Sequence, residues 1–368
     1  MNKKLIAALA LTACALSASA FATSAAAAGY KGPVNIFGQP DLSGNWTNAT
    51  LTPLTRPAEY GDRTTMTPAE AKKIADFAQA QVDLGNKPTD PKLGATVGNE
   101  KATGNLVGGY NRGWLDPGNS AMYVAGQPRT SILTTPDGQI PPRKGQTVRS
   151  AARRQASITS FAVDEFGGAF IPREGNFEGG EGGPAGKADN PEDRSPADRC
   201  LSSFGRNAVP PMLSNGFYNN NYSIIQNRDE VVIVQELVHD VRHIRLNTKQ
   251  HLPDNIRPWL GDSVGWYEGD TLVVETTNIP QIQQFMGSWK TLKVTERFKR
   301  VAPERILYQF SIEDPAVWDK PWGGEYEFAD LHGQVYEYAC HEGNYALEGI
   351  LAGARQQEQA AAKRAASP

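Results

Sequence analysis

Alternating apolar and polar positions in the second half of the chain predict a series of β-strands. β-branched and aromatic residues recur there at strand spacing, and short turns such as Glu268-Gly269-Asp270 separate several of the segments. This spacing favours an antiparallel meander, as a barrel or a sandwich, over alternating helices and strands. We therefore expect a mainly β protein. The predicted strands are residues 222–227, 231–237, 242–246, 271–277, 291–299, 306–312 and 334–340.

The first half of the chain carries fewer regular patterns. Residues 40–46 have the pattern of a strand start with a buried tryptophan. The Gly44-Asn45-Trp46 segment resembles the Gly-x-Trp pattern of lipocalin barrels, so a lipocalin-like barrel is among the expected architectures. Residues 67–70 form a capping box with proline at the first helical position, and helical spacing of apolar residues follows. Residues 131–135 predict a short strand, and residues 346–364 predict a helix that covers one end of the sheet. Helices should therefore flank the β region.

Composition divides the chain into successive parts. Residues 175–198 are rich in glycine and proline and form the best internal boundary. We predict a signal peptide at 1–28, an N-terminal segment with one amphipathic helix and short strands at 29–174, the connector at 175–198, a β region with the candidate site at 199–345, and a C-terminal helix and tail at 346–368.

The N-terminus predicts a protein of the periplasm or the extracellular medium. Two lysines precede an apolar run that ends in small residues, which is the pattern of a secretory signal peptide cleaved near Ala28. Leu11-Thr12-Ala13-Cys14 also fits a lipobox, but the apolar sequence continues past Cys14 and favours simple cleavage over a lipid anchor. In an oxidising compartment, the remaining Cys200 and Cys340 are expected to form a disulfide.

Charge and composition exclude several classes of partner. The formal net charge is −3, and no basic patch with interleaved aromatic residues is present, so a nucleic-acid partner is not expected. After the leader, no apolar run is long enough to span a membrane. A small organic molecule or a glycan fragment is the partner we predict.

A cluster of polar residues follows the predicted strand at 231–237. On a helix, Glu236, His239, Asp240 and His243 would share one face and could hold a metal. On a strand, His239 and His243 would lie on one side, while Glu236, Asp240 and Arg242 would lie on the other. The preceding β-branched run favours the strand, so we expect no metal site. A metallohydrolase that uses Glu236, His239 and His243 is an alternative.

A second polar cluster, Cys340-His341-Glu342-Gly343-Asn344, lies about a hundred residues later. His341 follows a cysteine, but there is no CxxCH motif and no second thiolate, so we expect no haem or other cofactor. We predict that this cluster converges on the first.

Convergence of the two clusters would create a site for acid/base chemistry on a bound small molecule. His239 would be the acid or base, Asp240 would orient it, and Arg242 would stabilise negative charge. His341 and Glu342 would form the opposing pair. Glu236, Asn344 and Trp266 are predicted to bind substrate. The reaction would be an elimination, isomerisation or hydrolysis, and a non-enzymatic binding or envelope-structural protein is the alternative.

The segment Gly261-Asp262-Ser263-Val264-Gly265 matches the G-x-S-x-G pattern of hydrolases. That motif requires a strand before the serine and a helix after it. Here Pro258 precedes the segment closely and hairpin sequence follows, so we interpret residues 261–265 as a turn rather than as a nucleophile elbow.

Several segments resemble the recurring segments of a large family of secreted bacterial proteins. They are PDLSGNW, PRTSILTTPDGQIPP, DRCL, VQELVHDVR, GDSVGWYEGDTLVVETTN, TERF and EYACHEGNY, and they cover nearly the whole mature chain. The resemblance implies secretion but carries no established activity or site assignment. Tyr267 departs from the family pattern, where tryptophan is expected, and this difference bears on packing only.

Overall fold

A computed structural model describes residues 30–85, 116–145, 188–194, 196, 198–202, 209–213 and 219–366. The predicted signal peptide, the lipobox cysteine and most of the connector lie outside the described residues. Among those described, no helix is both long and apolar enough to cross a membrane.

The protein is mainly β, with nine strands closed into a barrel. Around the barrel the strands follow the order β1-β11-β10-β9-β8-β7-β6-β5-β4, and β2 and β3 form a separate small hairpin. The elements are β1 Gly44–Thr47, α1 Pro68–Gly85, β2 Tyr123–Val124, β3 Gln127–Pro128, β4 Asn221–Gln226, β5 Glu230–Gln235, β6 Val241–Arg245, β7 Asp262–Glu268, β8 Thr271–Thr277, β9 Lys293–Ala302, β10 Arg305–Glu313, β11 Trp322–Asp330 and α2 Tyr345–Ala365.

The barrel interior is filled by aromatic side chains. Tyr308 packs against Phe298 and Tyr326, with ring centroids 5.0 and 4.8 Å away. The chain around Met212 also contacts these interior tyrosines. The Met212 N–H donates to the Tyr308 hydroxyl at 2.9 Å, and the Tyr326 hydroxyl donates to the Met212 carbonyl at 2.7 Å. Burial, followed by the nearby Glu296 charge, raises the pKa of Tyr308 well above its ordinary value.

The joint between β6 and β7 differs from the rest of the barrel. All other neighbouring barrel strands pair antiparallel, whereas β6 and β7 run parallel. Their pairing has only two residue pairs, Ile244 with Ser263 and Arg245 with Val264. The residues before these pairs, Val241–His243 on one side and 260–262 on the other, therefore form no ladder with each other, although Val241–His243 pair with β5 and Asp262 pairs with β8. We call this region the β6–β7 seam.

The flanking helices form at the predicted positions, but few of their side chains are buried. At the start of α1, Glu70 accepts the Thr67 N–H at 2.7 Å and the Thr67 side chain accepts the Glu70 N–H at 3.2 Å, so the capping box is confirmed. In α2 none of the residues is buried. The expectation that α2 covers one end of the sheet is therefore wrong.

Two strand predictions are also wrong. Residues 334–340 form no strand, and the last barrel strand is β11, which the pattern missed. β11 contains Gly323 and Gly324, residues that are uncommon in strands; at Gly323 a Cβ would lie 1.9 Å from the Phe310 carbonyl oxygen, so only glycine fits. The predicted strand at 131–135 is reduced to a single bridge from Leu133 to Gly324.

Candidate functional site

A disulfide joins the regions of the two predicted polar clusters. Cys200 and Cys340 are bonded, with their Cα atoms 5.7 Å apart, so the predicted pairing is confirmed. His341 follows Cys340 at the start of a short 3₁₀ turn. The disulfide therefore fixes His341 next to the segment that contains Cys200.

A cleft of about 620 Å³ lies over the β6–β7 seam and is lined by residues of both clusters. His239 and His341 both line it, as do residues of the loop that leads into β7. The full lining is Cys200, Leu201, Val238, His239, Asp240, Val241, Arg242, His243, Arg245, Pro258, Trp259, Leu260, Gly261, Asp262, Ser263 and His341. The convergence predicted for His239 and His341 thus takes the form of a shared cleft.

The turn from β5 to β6 presents His239 in a strained backbone conformation. Val238 has φ 60° and ψ 18°, and His239 has φ 47°. This left-handed region costs a non-glycine residue about 1–2 kcal/mol, and a β-branched residue such as valine is rare there. Two consecutive residues of this kind point to a functional constraint on the turn.

The side chains of residues 236–243 divide into an exposed and a buried set. His239 and His243 are exposed, while Glu236, Asp240 and Arg242 are buried. This is the division that a strand would give, although residues Leu237–His239 form a single 3₁₀ turn.

The metal alternative requires Glu236, His239 and His243 on one helical face, and that face does not form. Glu236 accepts Asn221 Nδ2 at 2.5 Å and the Tyr336 N–H at 3.2 Å, whereas His243 Nδ1 lies 2.6 Å from Glu230. Across the described ranges, no group of three or more His, Cys, Asp or Glu side chains has the arrangement of a metal site.

Arg242 lies at the base of the cleft and extends into the barrel. Its guanidinium forms a two-point ion pair with Glu296, including an Nη1 to Oε1 distance of 3.1 Å. It also donates to Ser263 Oγ at 3.1 Å and to Thr276 Oγ1 at 2.8 Å. The side chains of Arg242 and Glu296 are 1% and 0% exposed.

Asp262 closes the cleft on the β7 side. It accepts hydrogen bonds from Arg245 Nη2 at 2.8 Å and from the Leu252 N–H at 2.9 Å. His251 Nδ1 lies 2.8 Å from Oδ2, the oxygen that accepts the Leu252 N–H. Burial alone would raise the pKa of Asp262, but the bonds from Leu252, His251 and Arg245 together outweigh it and lower the pKa below its ordinary value.

Ser263 is not in a nucleophile elbow. It lies inside β7 and is followed by further strand residues. Its hydroxyl also bonds to Thr276 Oγ1 at 2.8 Å. The interpretation of residues 261–265 as a turn is wrong for Asp262 onwards, while the conclusion that no strand-to-helix elbow forms there agrees with the structure.

Four of the residues predicted from sequence do not line the cleft. Glu236 lies behind the turn, and Glu342 is exposed after His341. Asn344 caps α2 by accepting the Leu347 N–H at 3.3 Å, and it donates to the Asp198 carbonyl at 2.8 Å. Trp266 donates to Glu268 at 2.9 Å, and Lys249 Nζ lies 4.5 Å above its ring.

Sequence reasoning missed Glu296 and Trp259. In residues 294–298 the apolar Val294 and Phe298 alternate with Glu296 on one face, so a carboxylate at an inward position signalled a buried cationic partner. Trp259 is 39% exposed and lines the cleft. No sequence signal distinguishes it from the buried tryptophans.

Comparison with known proteins gives little beyond the barrel itself. No family model matches the chain, and no curated protein matches it. A solved structure that matches is a crystal structure of a mutant of the fluorescent protein UnaG, at 13% sequence identity. The match covers 31% of this chain and 72% of that chain, with a TM-score of 0.20, and this similarity is too low to carry an argument. The fold therefore defines the class as a mainly β protein with a closed barrel.

Proposed function

We propose that the protein binds a small organic molecule in the cleft over the β6–β7 seam, in the periplasm or outside the cell. The observation that carries this proposal is the cleft shared by His239 and His341. Its volume of about 620 Å³ lies in the range of small-molecule sites. Half of its sixteen lining residues are polar or charged and the other half are apolar or glycine, so it offers a small molecule both hydrogen-bonding groups and apolar surface. A closed barrel is compatible with this function.

Chemical transformation of the bound molecule is a second candidate function. The strained backbone at Val238 and His239 favours it, because strain of this kind clusters at active sites. Imidazoles exchange protons near neutral pH, so His239 and His341 would act as the acid and base. Asp240, adjacent in the turn, would orient His239. Arg242 would place its positive charge at the base of the cleft, and Glu342 would assist His341 from the rim.

Ligand binding can be tested with two cleft variants and one control. His239→Asn suits the left-handed backbone, and His341→Gln keeps a polar side chain of similar length. His332→Gln is the matched control, since His332 is also exposed and pairs with Asp330 at 2.8 Å outside the cleft. Mixtures of small organic compounds would be screened by ligand-observed NMR. We expect hits that weaken at least tenfold in either cleft variant and stay unchanged in the control.

The same hits decide between binding and turnover. Incubation of each hit with the protein, followed by mass spectrometry and NMR, would reveal elimination, isomerisation or hydrolysis. Product that disappears in His239→Asn supports an acid/base enzyme. Binding without product supports a binding protein. If every hit binds equally to all three variants, the cleft is not the binding site and the proposed function is wrong.

A further inference from the structure

The cleft presents more positive than negative groups to its interior. Arg245 lines it with a side chain that is 35% exposed, whereas the side chain of its partner Asp262 is 4% exposed. Arg242 also belongs to the lining, but it is 1% exposed and its charge is paired with Glu296. The charged side chain of the lining that a ligand can reach is therefore that of Arg245.

The two carboxylates that do line the cleft are poorly available to a ligand. Asp262 is 3% exposed and already accepts bonds from Arg245, His251 and the Leu252 N–H. Asp240 is 8% exposed. The exposed polar side chains of the lining are instead the imidazoles of His239, His243 and His341. A ligand cation would find no accessible carboxylate, while an anion would find donors.

The other part of the cleft offers exposed apolar surface. Trp259, Leu201 and Val241 are 39%, 44% and 43% exposed, and all three line the cleft. An exposed indole beside aliphatic groups is suited to a planar ring, because aromatic pairs add about 0.5–1.5 kcal/mol beyond area burial. Pro258 adjoins Trp259 on the same wall.

We propose that the ligand is a ring-bearing organic anion, with its ring against Trp259 and its carboxylate towards His239 and His341. This inference rests on the proposed function and names the chemical class of its ligand. We expect the ligand to need both its ring and its negative charge, because the charged and the apolar parts of the lining belong to one cleft.

Four small probes separate the two requirements on the unmodified protein. Benzoate has the ring and the anion, acetate has only the anion, benzyl alcohol has only the ring, and benzylamine has the ring with a positive charge. Affinities would be measured at one pH from the imidazole NMR shifts of His239 and His341, assigned with the two cleft variants. We expect benzoate to bind at least tenfold more tightly than each of the other three probes.

Two substitutions then locate the interactions. Trp259→Leu should weaken benzoate at least fivefold, and Tyr123→Leu, which removes an aromatic ring that is 44% exposed outside the cleft, should not. Arg245→Gln removes a positive charge from the lining and should weaken benzoate but not benzyl alcohol. Lys320→Gln removes the same charge from an exposed residue in the β10–β11 connection and should change neither.

The outcomes separate the inference from the proposed function. Equal affinity for benzoate and benzyl alcohol, or tighter binding of benzylamine, would overturn the anion assignment while leaving a small-molecule site in place. Failure of all four probes, with a screening hit still bound at His239 and His341, would overturn the ring-bearing anion alone. Failure of both experiments would remove the proposed function as well.

Discussion

Arg242 and Glu296 form an ion pair across the barrel interior, between β6 and β9, with both side chains essentially inaccessible to water. The pair is completed by Ser263 and Thr276 on the arginine and by the Tyr308 hydroxyl on the glutamate, at 2.7 Å. Burial of two charges is costly unless each is paired and hydrogen-bonded, and this network meets that condition. The floor of the cleft is therefore held by contacts that reach through the barrel.

Removal of one partner of this pair should strongly destabilise the protein. Glu296→Gln leaves Arg242 charged and buried without a counter-charge, so we expect the free energy of unfolding to fall by about 3–5 kcal/mol. Urea unfolding followed by circular dichroism measures this change. The double variant Arg242→Met with Glu296→Leu should cost less than the sum of its single variants. A loss below about 1 kcal/mol in Glu296→Gln would contradict the buried pair.

Gly261 and Gly269 offer a matched test of packing at the edge of the cleft. Both have left-handed backbones, with φ of +80° and +62°. A Cβ at Gly261 would lie 2.8 Å from Thr276 Cγ2, whereas nothing lies within 4 Å of one at Gly269.

The two alanine variants should therefore differ in stability. Gly269→Ala should cost about 1 kcal/mol from backbone strain alone. Gly261→Ala should cost about 1–3 kcal/mol more because of the clash, and it should also weaken ligand binding. Thermal and urea unfolding of both variants check this. Equal losses of stability in the two variants would show that the residues around Gly261 move to accept a Cβ atom at no cost in free energy.

The Cys200–Cys340 disulfide should contribute to both stability and binding. The two cysteines are 140 residues apart, so the chain-entropy model gives a stabilisation of about 5 kcal/mol. Urea unfolding with and without dithiothreitol measures it. The variant with both cysteines changed to serine should behave like the reduced wild type and should bind ligand more weakly, because His341 loses its anchor. An unchanged unfolding midpoint after verified reduction would contradict this role.

The lowered pKa of Asp262 predicts a pH dependence of stability. A carboxyl whose pKa is lower in the folded state stabilises the fold above its ordinary pKa of 3.8, and this contribution is lost as the pH falls through the lowered value. Asp262→Asn should therefore cost about 2 kcal/mol near neutral pH, and the difference from wild type should shrink as the pH falls below 3.8.

An exposed aspartate serves as the control for this measurement. The Asp319 side chain is 84% exposed and lies 3.5 Å from Lys144, a surface contact that contributes little. Asp319→Asn should therefore stay close to wild type throughout the series of urea midpoints. If the urea midpoints of Asp262→Asn and wild type differ by the same amount at every pH, the pKa of Asp262 is not lowered in the folded protein.

Local sequence patterns identified most barrel strands because alternation of burial follows directly from strand geometry. β8 has the predicted bounds of 271–277, and β4, β5, β6 and β10 agree within a residue or two. β11 was missed because its pair of glycines carries no β propensity; its place is fixed by close packing on β10. The parallel β6–β7 joint was also missed, since the direction of a neighbour depends on where the intervening loop returns.

The candidate site was predicted in part. His239 and His341 could be selected because three of the five histidines lie in two polar clusters, and the cysteines indicated that His341 is tethered to the segment around Cys200. The contribution of Trp259 and Asp262 could not be predicted, because it depends on how the loop after β6 folds over the seam. The backbone strain at Val238 is likewise a property of the tertiary structure and has no local sequence signal.

The position of β1 has a consequence for how the molecule folds. β1 completes the barrel by pairing with both β4 and β11, and the pair Trp46 with Asp330 joins strands from opposite ends of the sequence. Contacts between such distant segments form slowly, because a long chain must be ordered before they are made. A chain whose residues up to Asp330 have not all been synthesised cannot close its barrel, so closure is a late event in folding.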